Sequence, residues 1–238
     1  MAATRLPGKP LLKINNLSLV SHVFKRAEEA NIGEVVVATE DQEILTDVLK
    51  NGGRAILTNS NHKTGTDRIF EAYKKLDIKN VDYILNLQGD EPDINKEDII
   101  NLNNLMVTEN AELGTLAAKI EDDKMLNNKN VVKVITDKKL VENNFPTALN
   151  FTRDNPSIDN QNIYHHIGIY SYKISALKKF VSLEQTSNEK INKLEQLRAL
   201  DNMLKINVAL ARSSPIGVDT EEDYLAIKKI MEYKISNE

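Results

Sequence analysis

The sequence contains no cysteine among its 238 residues. Neither a disulfide framework nor a metal site built on thiolates is possible, which suits the cytoplasm. No apolar run approaches the roughly 18 residues of a membrane helix. Residues 1–9 also lack the apolar core of a signal peptide. We therefore expect a cytoplasmic protein with no membrane partner.

A surplus of positive charge is absent as well. The chain carries 31 lysine and arginine residues against 35 aspartate and glutamate residues, a formal net charge of −4. A general nucleic-acid binder normally shows a basic surplus, so we expect no nucleic-acid partner. The hydrophobic content of 41% and the charged content of 28% are ordinary for a globular protein. The length allows one sizeable core, or one core with a small subdomain.

Apolar patterning predicts an alternation of strands and helices. Short apolar runs predict strands over 34–39, 54–57, 81–87, 113–120, 131–135, 163–172 and 206–211. Amphipathic spacing and helix-start residues predict helices that begin near residues 17, 41, 66, 95 and 220, and one over 188–200. The strand–helix–strand order indicates a parallel sheet with helices on its faces. We interpret residues 1–238 as a single domain with a β-rich excursion at about 138–200, beginning with a strand over 140–145.

The predicted strand over 81–87 ends in Gln-Gly-Asp-Glu-Pro at 88–92. Glycine and proline cannot continue the strand, and in an open α/β sheet ligands bind outside the carboxyl ends of the strands. Asp90 and Glu91 are therefore well placed to hold a divalent cation against phosphate oxygens. The alternative is a solvated turn with incidental acids.

Two other turns are candidates for phosphate or nucleotide contacts. Residues 5–10 form a basic loop suited to clamp phosphate, although Pro10 stands where a P-loop requires serine or threonine. The turn at 62–68 offers Gly65 for close backbone approach and Thr66 as a cap at a positive helix end. It can hold a ribose or a base edge, or it is an ordinary helix start without a ligand.

Two pairs of adjacent residues in the second half of the chain are weaker candidates for a binding site. His165 and His166 point to opposite faces of a strand, so they cannot ligate one metal ion together, and one of them is expected to face a pocket. Glu195 and Gln196 could bind hydroxyls, or could lie on an exposed helix face.

The start of the last helix completes the set of candidates. Thr220 and Asp223 have the spacing of a capping box. Asp219 lies just before the cap, where it can face a site.

Six short motifs follow one another in a recognisable order. They are Arg-Leu-Pro-Gly-Lys-Pro-Leu at 5–11, Thr-Gly-Thr-Asp-Arg at 64–68, Gln-Gly-Asp-Glu-Pro at 88–92, His-Ile-Gly-Ile-Tyr at 166–170, Leu-Glu-Gln-Leu-Arg at 194–198 and Gly-Val-Asp-Thr at 217–220. Together, from about residue 4 to about residue 223, they closely resemble the CMP-Kdo synthetases, the 3-deoxy-manno-octulosonate (Kdo) cytidylyltransferases of lipopolysaccharide-making bacteria.

The resemblance implies a Rossmann-like nucleotide-diphosphosugar-transferase fold with a smaller β-rich subdomain that forms a homodimer. It also implies that CTP and Kdo give CMP-Kdo and pyrophosphate, with magnesium as cofactor. In such a transfer the anomeric hydroxyl of Kdo attacks the α-phosphorus, and positioning and charge neutralisation supply most of the acceleration. Asp90 and Asp219 match the family's magnesium ligands. They would hold one ion at the α-phosphate and a second near the sugar carboxylate and hydroxyl.

The other site residues of the family transfer to this sequence motif by motif. By this resemblance Arg5 and Lys9 neutralise the β- and γ-phosphates, Gly65 and Thr66 belong to the cytidine pocket, Gln88 contacts a substrate, and Arg153, His166, Glu195 and Gln196 bind Kdo. Within the Kdo group, the resemblance assigns the carboxylate to the arginine and the hydroxyls to the polar side chains.

Three departures from the family pattern accompany this resemblance. Family members begin with an apolar strand ending in Pro-Ala-Arg, and Met1 stands where that segment should have finished, so we expect the first, central strand to be missing. Asp-Asn-Pro-Ser at 154–157 replaces an apolar-proline run, and His165 replaces a basic residue that is often arginine. Two alternatives stay open: a cytidylyltransferase for another sugar acid, such as 8-amino-Kdo or a sialic acid, and an inactive nucleotide-binding homologue.

Overall fold

The structure is a computed structural model that describes residues 6–156 and 162–235. The described residues cluster into two compact units. Unit 1 lies within Met1–Asp77, Leu87–Glu97 and Pro215–Glu238, and unit 2 within Ile78–Asn86 and Asp98–Ser214. The chain therefore crosses repeatedly from one unit to the other.

Strands and helices alternate from residue 19 to residue 136, as the apolar patterning predicts. The strands are β1 (Lys13–Ile14), β2 (Leu17–Ser18), β3 (Val37–Thr39), β4 (Ala55–Leu57), β5 (Tyr83–Asn86), β6 (Leu113–Ala118), β7 (Lys133–Thr136), β8 (Ala148–Thr152), β9 (Ile163–Lys173) and β10 (Ile206–Leu210). The helices are α1 (Leu19–Ala30), α2 (Gln42–Lys50), α3 (Gly65–Leu76), α4 (Lys96–Thr108), α5 (Asp123–Asn127), α6 (Ile174–Ser182), α7 (Ser187–Asn192), α8 (Leu197–Asp201) and α9 (Glu221–Ile235). No helix in these described ranges is long and apolar enough to cross a membrane.

Unit 1 combines two small sheets with helices whose starts follow ordinary capping chemistry. β1 and β2 pair antiparallel, whereas β3 and β4 pair in parallel. The side chain of Ser18 accepts a hydrogen bond at the start of α1, and Asp41 caps α2 as predicted. A Cβ atom at Gly53 would lie 2.7 Å from Cγ1 of Val48. The predicted glycine stop after α2 is therefore required by packing as well.

Unit 2 is built around a six-stranded sheet with the order β10-β6-β9-β7-β8, and β5 pairs with β9. Among its described strands only β10 and β6 run parallel, because β9 is antiparallel to β5, β6 and β7, and β7 is antiparallel to β8. The predicted α/β class is confirmed, and the parallel pairing predicted from the strand–helix–strand order holds for β3 and β4, but the sheet of unit 2 is mixed rather than parallel. The cause is the return of β9 between earlier strands, which no local pattern reveals.

The predicted strand over 140–145 is absent from the described structure, which has a turn at this place. Asn143 adopts a φ of +62°, and Oδ1 of Asn144 accepts a hydrogen bond of 3.0 Å from the amide of Val141. Asparagine tolerates the left-handed region and bonds to nearby backbone, so turn chemistry outweighs the apolar neighbours here. The first strand of the predicted excursion is β8 instead, and the range 138–200 also contains α6, α7 and most of α8.

The predicted helix over 188–200 is two helices with a break between them. Lys193 ends α7 with a φ of +53°, and the amide of the buried Leu194 bonds to the carbonyl of Glu189 at 3.3 Å. A left-handed residue followed by such a bond is a common helix end. Glu195 and Gln196 consequently lie in the break before α8 rather than on one continuous helix face.

Candidate active site

Three loops of unit 1 converge on the side-chain ammonium group of Lys9. Its Nζ donates hydrogen bonds to Oδ2 of Asp90 at 2.6 Å, to the carbonyl oxygen of Val218 at 2.8 Å and to Oδ1 of Asp219 at 3.1 Å. Two carboxylates that the sequence analysis selected from distant motifs therefore surround one cation.

The loop that carries Lys9 depends on a glycine. Gly8 adopts a φ of +71°, a conformation that L side chains rarely adopt, and it precedes a 3₁₀ turn over Lys9–Leu11. Pro10 fits the first turn of this short helix because no amide hydrogen is needed there. The predicted basic loop thus presents Lys9 from a rigid turn.

Backbone contacts bring the two acidic loops together. The amide of Val218 donates a hydrogen bond of 2.9 Å to the carbonyl of Asp90. The predicted capping box is confirmed, since Oδ2 of Asp223 accepts from the amide of Thr220 at 2.8 Å and Oγ1 of Thr220 accepts from the amide of Asp223 at 3.2 Å. The carboxylate of Asp219 lies outside this cap and contacts Lys9.

The charges of this group support one another. Burial alone would lower the pKa of Lys9, but the attraction and hydrogen bonds of Asp90 and Asp219 raise it above the ordinary 10.5. Burial, and then the charge of Asp90, raise the pKa of Glu91 to about 8. Oε2 of Glu91 is buried and has no hydrogen-bond partner among the described residues. At neutral pH Glu91 is therefore uncharged, and the acidic partner of Asp90 is Asp219 rather than its neighbour in the sequence.

The three oxygens around Nζ of Lys9 also suit a hard divalent cation. Carboxylate and carbonyl oxygens are ligands of Mg²⁺, which usually combines one or two carboxylates with substrate phosphates and water. In the described ranges there is no cluster of three or more His, Cys, Asp or Glu side chains that could hold a metal ion unaided. The residues therefore fit a magnesium ion whose coordination substrate oxygens complete.

The turn before α3 differs from its predicted form in the residue that caps the helix. Oγ1 of Thr64 accepts a hydrogen bond of 3.3 Å from the amide of Asp67, so Thr64 is the cap. The prediction of Thr66 as a cap is wrong, because α3 already begins at Gly65 and Thr66 is only 1% exposed. A Cβ atom at Gly65 would meet no described atom within 4 Å, which leaves room for a ligand against the backbone. The predicted cytidine contacts of Gly65 and Thr66 stay predictions.

Arg5 and Gln88 are two further predicted substrate contacts. Arg5 lies outside the described residues. Gln88 is exposed in unit 1, one residue before Gly89. Their substrate contacts stay predictions.

In unit 2, His166 lies on β9 beside an irregularity of the sheet. The β6–β9 pairing shifts register between Thr115 and Leu116 and so leaves extra residues on β9, which is the mark of a β-bulge. Oγ1 of Thr115 lies 2.7 Å from the carbonyl oxygen of Ile169 and 3.0 Å from Nε2 of His166. Bulges of this kind redirect side chains near functional sites.

The hydroxyl of Thr115 determines which ring nitrogen of His166 carries the proton. A hydroxyl has a single hydrogen, and when it is donated to the carbonyl of Ile169, Oγ1 can only accept from Nε2–H. Burial, and then His165, lower the pKa of His166 to about 3, so the ring is neutral. Its Nδ1 is then an acceptor suited to a hydroxyl donor. Thr115 was not predicted, because a threonine in an apolar strand gives no local signal.

We expect His166 to remain neutral, with its proton on Nε2, from pH 5 to pH 8. Nitrogen–hydrogen correlation spectra of the imidazole rings measure this, and His166→Gln assigns the signal. Since the unfolded histidine has an ordinary pKa of 6.5, the folded state binds fewer protons between about pH 3 and 6.5. Through this residue, stability therefore falls as the pH drops through that window. Thr115→Val should redistribute the proton toward Nδ1, and a ring that titrates near pH 6.5 would contradict the assignment.

A second polar feature of unit 2 is the buried ion pair between Arg198 and Glu189. Arg198 is 2% exposed, and its Nε and Nη2 donate to the two carboxylate oxygens of Glu189 at 2.8 and 2.6 Å. This pair joins α7 to α8 across the break that contains Glu195 and Gln196. Burial is the main cause that raises the pKa of Tyr170, and the charge of Glu195 adds to it.

Tyr170 also lies close to His166. Its ring centroid lies 5.4 Å from that of His166. Tyr170 therefore lies beside His166 and is influenced by the charge of Glu195. Arg153 follows β8, where its Nη1 donates to the carbonyl of Lys129 at 3.2 Å.

Known proteins match this chain over nearly its whole length. The sequence model of the cytidylyltransferase family matches residues 1–206. The 3-deoxy-manno-octulosonate cytidylyltransferase of Afipia carboxidovorans is 42% identical over 232 residues, which are 97% of this chain and 93% of that protein. The protein of the same name from Thermodesulfovibrio yellowstonii is 43% identical over 245 residues, with 96% and 94% covered.

The chain belongs to the 3-deoxy-manno-octulosonate cytidylyltransferase family. A solved structure supports this membership: a CMP:2-keto-3-deoxy-manno-octonic acid synthetase complexed with CTP matches with a TM-score of 0.86 at 32% identity, covering 97% of this chain and 94% of that one. The resemblance drawn from six motifs is confirmed. As a member of the 3-deoxy-manno-octulosonate cytidylyltransferase family, the chain is a nucleotidyltransferase.

Proposed function

We propose that this chain transfers CMP from CTP to Kdo and releases pyrophosphate, with Mg²⁺ as cofactor, for lipopolysaccharide biosynthesis. The observation that carries the proposal is the meeting of Asp90 and Asp219 at Nζ of Lys9, at 2.6 and 3.1 Å. Two carboxylates beside a lysine side chain suit a site where a polyanionic nucleotide and a divalent cation bind together. Family membership supplies the reaction.

The residues of unit 1 would act on the nucleotide and the cation. Asp90 and Asp219 would hold Mg²⁺, which when bound neutralises phosphate charge and lowers the pKa of the attacking hydroxyl. Lys9 neutralises the two aspartates in the protein alone. With nucleotide bound, Lys9 and Arg5 would donate to the β- and γ-phosphates, where charge collects as the bond to pyrophosphate breaks.

The residues of unit 2 would bind the sugar acid. Arg153 would pair with its carboxylate, and Glu195 and Gln196 would orient its hydroxyls. Nδ1 of the neutral His166 would accept a hydrogen bond from a further hydroxyl. Only one of these four side chains, Arg153, is cationic, which favours a polyhydroxy acid with one carboxylate over a second polyphosphate.

Pyrophosphate release tests the proposal. The purified chain is incubated with CTP, Mg²⁺ and one sugar acid at a time: Kdo, 8-amino-Kdo or a sialic acid. We expect release with Kdo and formation of CMP-Kdo. Release only with another acid would reassign the substrate, and no release with any acid, despite CTP binding, would favour an inactive nucleotide-binding homologue.

Alanine at His166 or Glu195 should weaken the use of Kdo and leave CTP binding nearly unchanged. One lost hydrogen bond to a neutral group is worth about 0.5–1.5 kcal/mol, so KM for Kdo should rise up to about 10-fold. Steady-state kinetics with Kdo varied, and calorimetry with CTP, measure the two effects. His165→Ala is the matched control on the opposite face of β9. If CTP binding were lost and Kdo binding stayed intact, the residues assigned to the nucleotide and those assigned to the sugar acid would have to be exchanged.

We also propose that the enzyme works in the cytoplasm, where CTP is made, and that it is a homodimer. The family resemblance supports the dimer. Light scattering during size-exclusion chromatography gives the mass directly, and a monomeric mass with full activity would contradict the proposal.

A further inference from the structure

Lys133 is a fully buried lysine that the sequence patterns did not select. It lies on β7 with 0% of its surface exposed. Its Nζ donates hydrogen bonds to the carbonyl oxygens of Asn128 at 2.8 Å and of Arg153 at 2.9 Å. Among residues 6–156 and 162–235, no carboxylate lies within ion-pair distance of this ammonium group. A buried cation held only by neutral carbonyls is unusual, because burial without a counter-ion costs free energy.

The surroundings of Lys133 are cationic. In the sheet it pairs with Thr152 of β8 on one side and with His165 of β9 on the other. Burial is the main cause that lowers the pKa of Lys133; the charge of Asp154 opposes it, and Arg153, with a smaller effect, lowers the pKa further. Asp154 is exposed and pairs with Lys129 at 3.3 Å. Since that carboxylate is already paired with Lys129, Lys133 and Arg153 give this corner of unit 2 a surplus of positive charge, as expected of a place that binds an anion.

The same lysine fixes the loop that presents Arg153. It joins the residue after β8 to the loop before β7 through the two carbonyls. Two more bonds connect these loops: Nη1 of Arg153 donates to the carbonyl of Lys129 at 3.2 Å, and Nδ2 of Asn155 donates to Oδ1 of Asn127 at 2.9 Å. Lys133 is the buried centre of this contact, whereas the other bonds are exposed.

We propose that Lys133 is a positioning residue for the carboxylate of the sugar acid. It holds the backbone of Arg153, so that the guanidinium meets the carboxylate in one orientation, and its own buried charge strengthens the attraction. The inference rests on the proposed function, since it adds a residue to the sugar-acid side of that reaction.

The test compares an acid with its uncharged analogue. Affinities for Kdo and for its C1 methyl ester are measured by calorimetry, with a CTP analogue that cannot release pyrophosphate. Lys133→Met removes charge and donors, while Lys133→Gln keeps two N–H donors for the carbonyls without the charge. Both should weaken Kdo binding by about 10–100-fold, the effect of losing a charge-assisted contact, and change ester binding by less than about 3-fold. Lys129→Met, which removes an exposed cation from the same loop, is the control and should leave both affinities unchanged.

A double-variant cycle separates positioning from general stability. The part of the effect that passes through Arg153 should disappear in an Arg153→Met background, so Lys133→Met should cost clearly less affinity there than in the wild type, and only the part due to its own charge should remain. Equal losses for acid and ester, or additive losses in the cycle, would overturn the inference and leave a structural role. If Lys133→Met does not fold, the same comparison with Lys133→Gln decides. A wild-type protein that binds neither Kdo nor its ester would overturn the proposed function itself.

Discussion

Replacing Asp90 with asparagine should lower the rate of pyrophosphate release by at least ~100-fold, the order found when a key electrostatic group is lost. Asparagine keeps the shape of the side chain but removes the charge that a hard cation requires. Asp219→Asn should have a similar effect. Binding of Mn²⁺, followed by electron paramagnetic resonance in the presence of CTP, should weaken in both variants and gives a readout apart from turnover.

The control for these variants is Glu222→Gln. It removes one carboxylate charge near Asp219 in the sequence, from the exposed first turn of α9, and should leave activity and Mn²⁺ binding unchanged. Asp90→Asn with near-normal activity at limiting magnesium would contradict the role of Asp90 as a ligand.

Replacing Glu189 with glutamine should destabilise the protein by up to about 3–5 kcal/mol, because the buried Arg198 loses its two-pronged partner and keeps only the more distant carboxylate of Glu195, at 3.9 Å. Domains are stable by only about 5–15 kcal/mol, so the loss is large. In the variant, neither of the two contacts between Arg198 and residue 189 involves a carboxylate any longer. The guanidinium of Arg198 still stacks on the ring of Phe180, 4.6 Å from its centroid. Chemical denaturation measures the change.

The matched control is Glu29→Gln, the same substitution at an exposed ion pair with Arg26 on α1. Surface pairs contribute about 0–1 kcal/mol, so its effect should be small. Burial alone would raise the pKa of Glu189, but the hydrogen bonds from Arg198 and Gln185 hold it below the ordinary 4.5. The stabilisation is therefore present above about pH 4.5 and is lost as the pH falls through the lower, folded value. Equal losses in the two variants would refute the buried-pair argument.

Local chemistry made much of the fold predictable. Cap residues such as Asp41 and Thr220 set helix starts in the sequence itself, and the short apolar runs around β6, β7 and β10 need no tertiary information. The acidic end of the strand at 81–87 was likewise visible, because Gly89 and Pro92 interrupt an apolar run. The meeting of Asp90 with Asp219 came from family resemblance, since nothing local joins two such distant segments.

Other features depended on contacts that a sequence does not display. The direction of β9 is set by its partners, and the break at Lys193 by the burial of Leu194. Thr115 and Lys133 look like ordinary members of apolar strands, although one orients a histidine and the other is a buried cation. Their chemistry arises only when the strands pair.

The position of β9 also affects how the nascent chain behaves. β9 is a hydrogen-bonded partner of β5, β6 and β7, which all precede it in the sequence. Because synthesis proceeds at about 5–20 residues per second, Tyr83 leaves the ribosome several seconds before its partner Lys173. During that interval three strands present unpaired edges, which are templates for association with other chains. Unit 2 should therefore assemble its sheet late, and its yield in the cell should depend on holdase chaperones that cover β5, β6 and β7 until translation reaches β9.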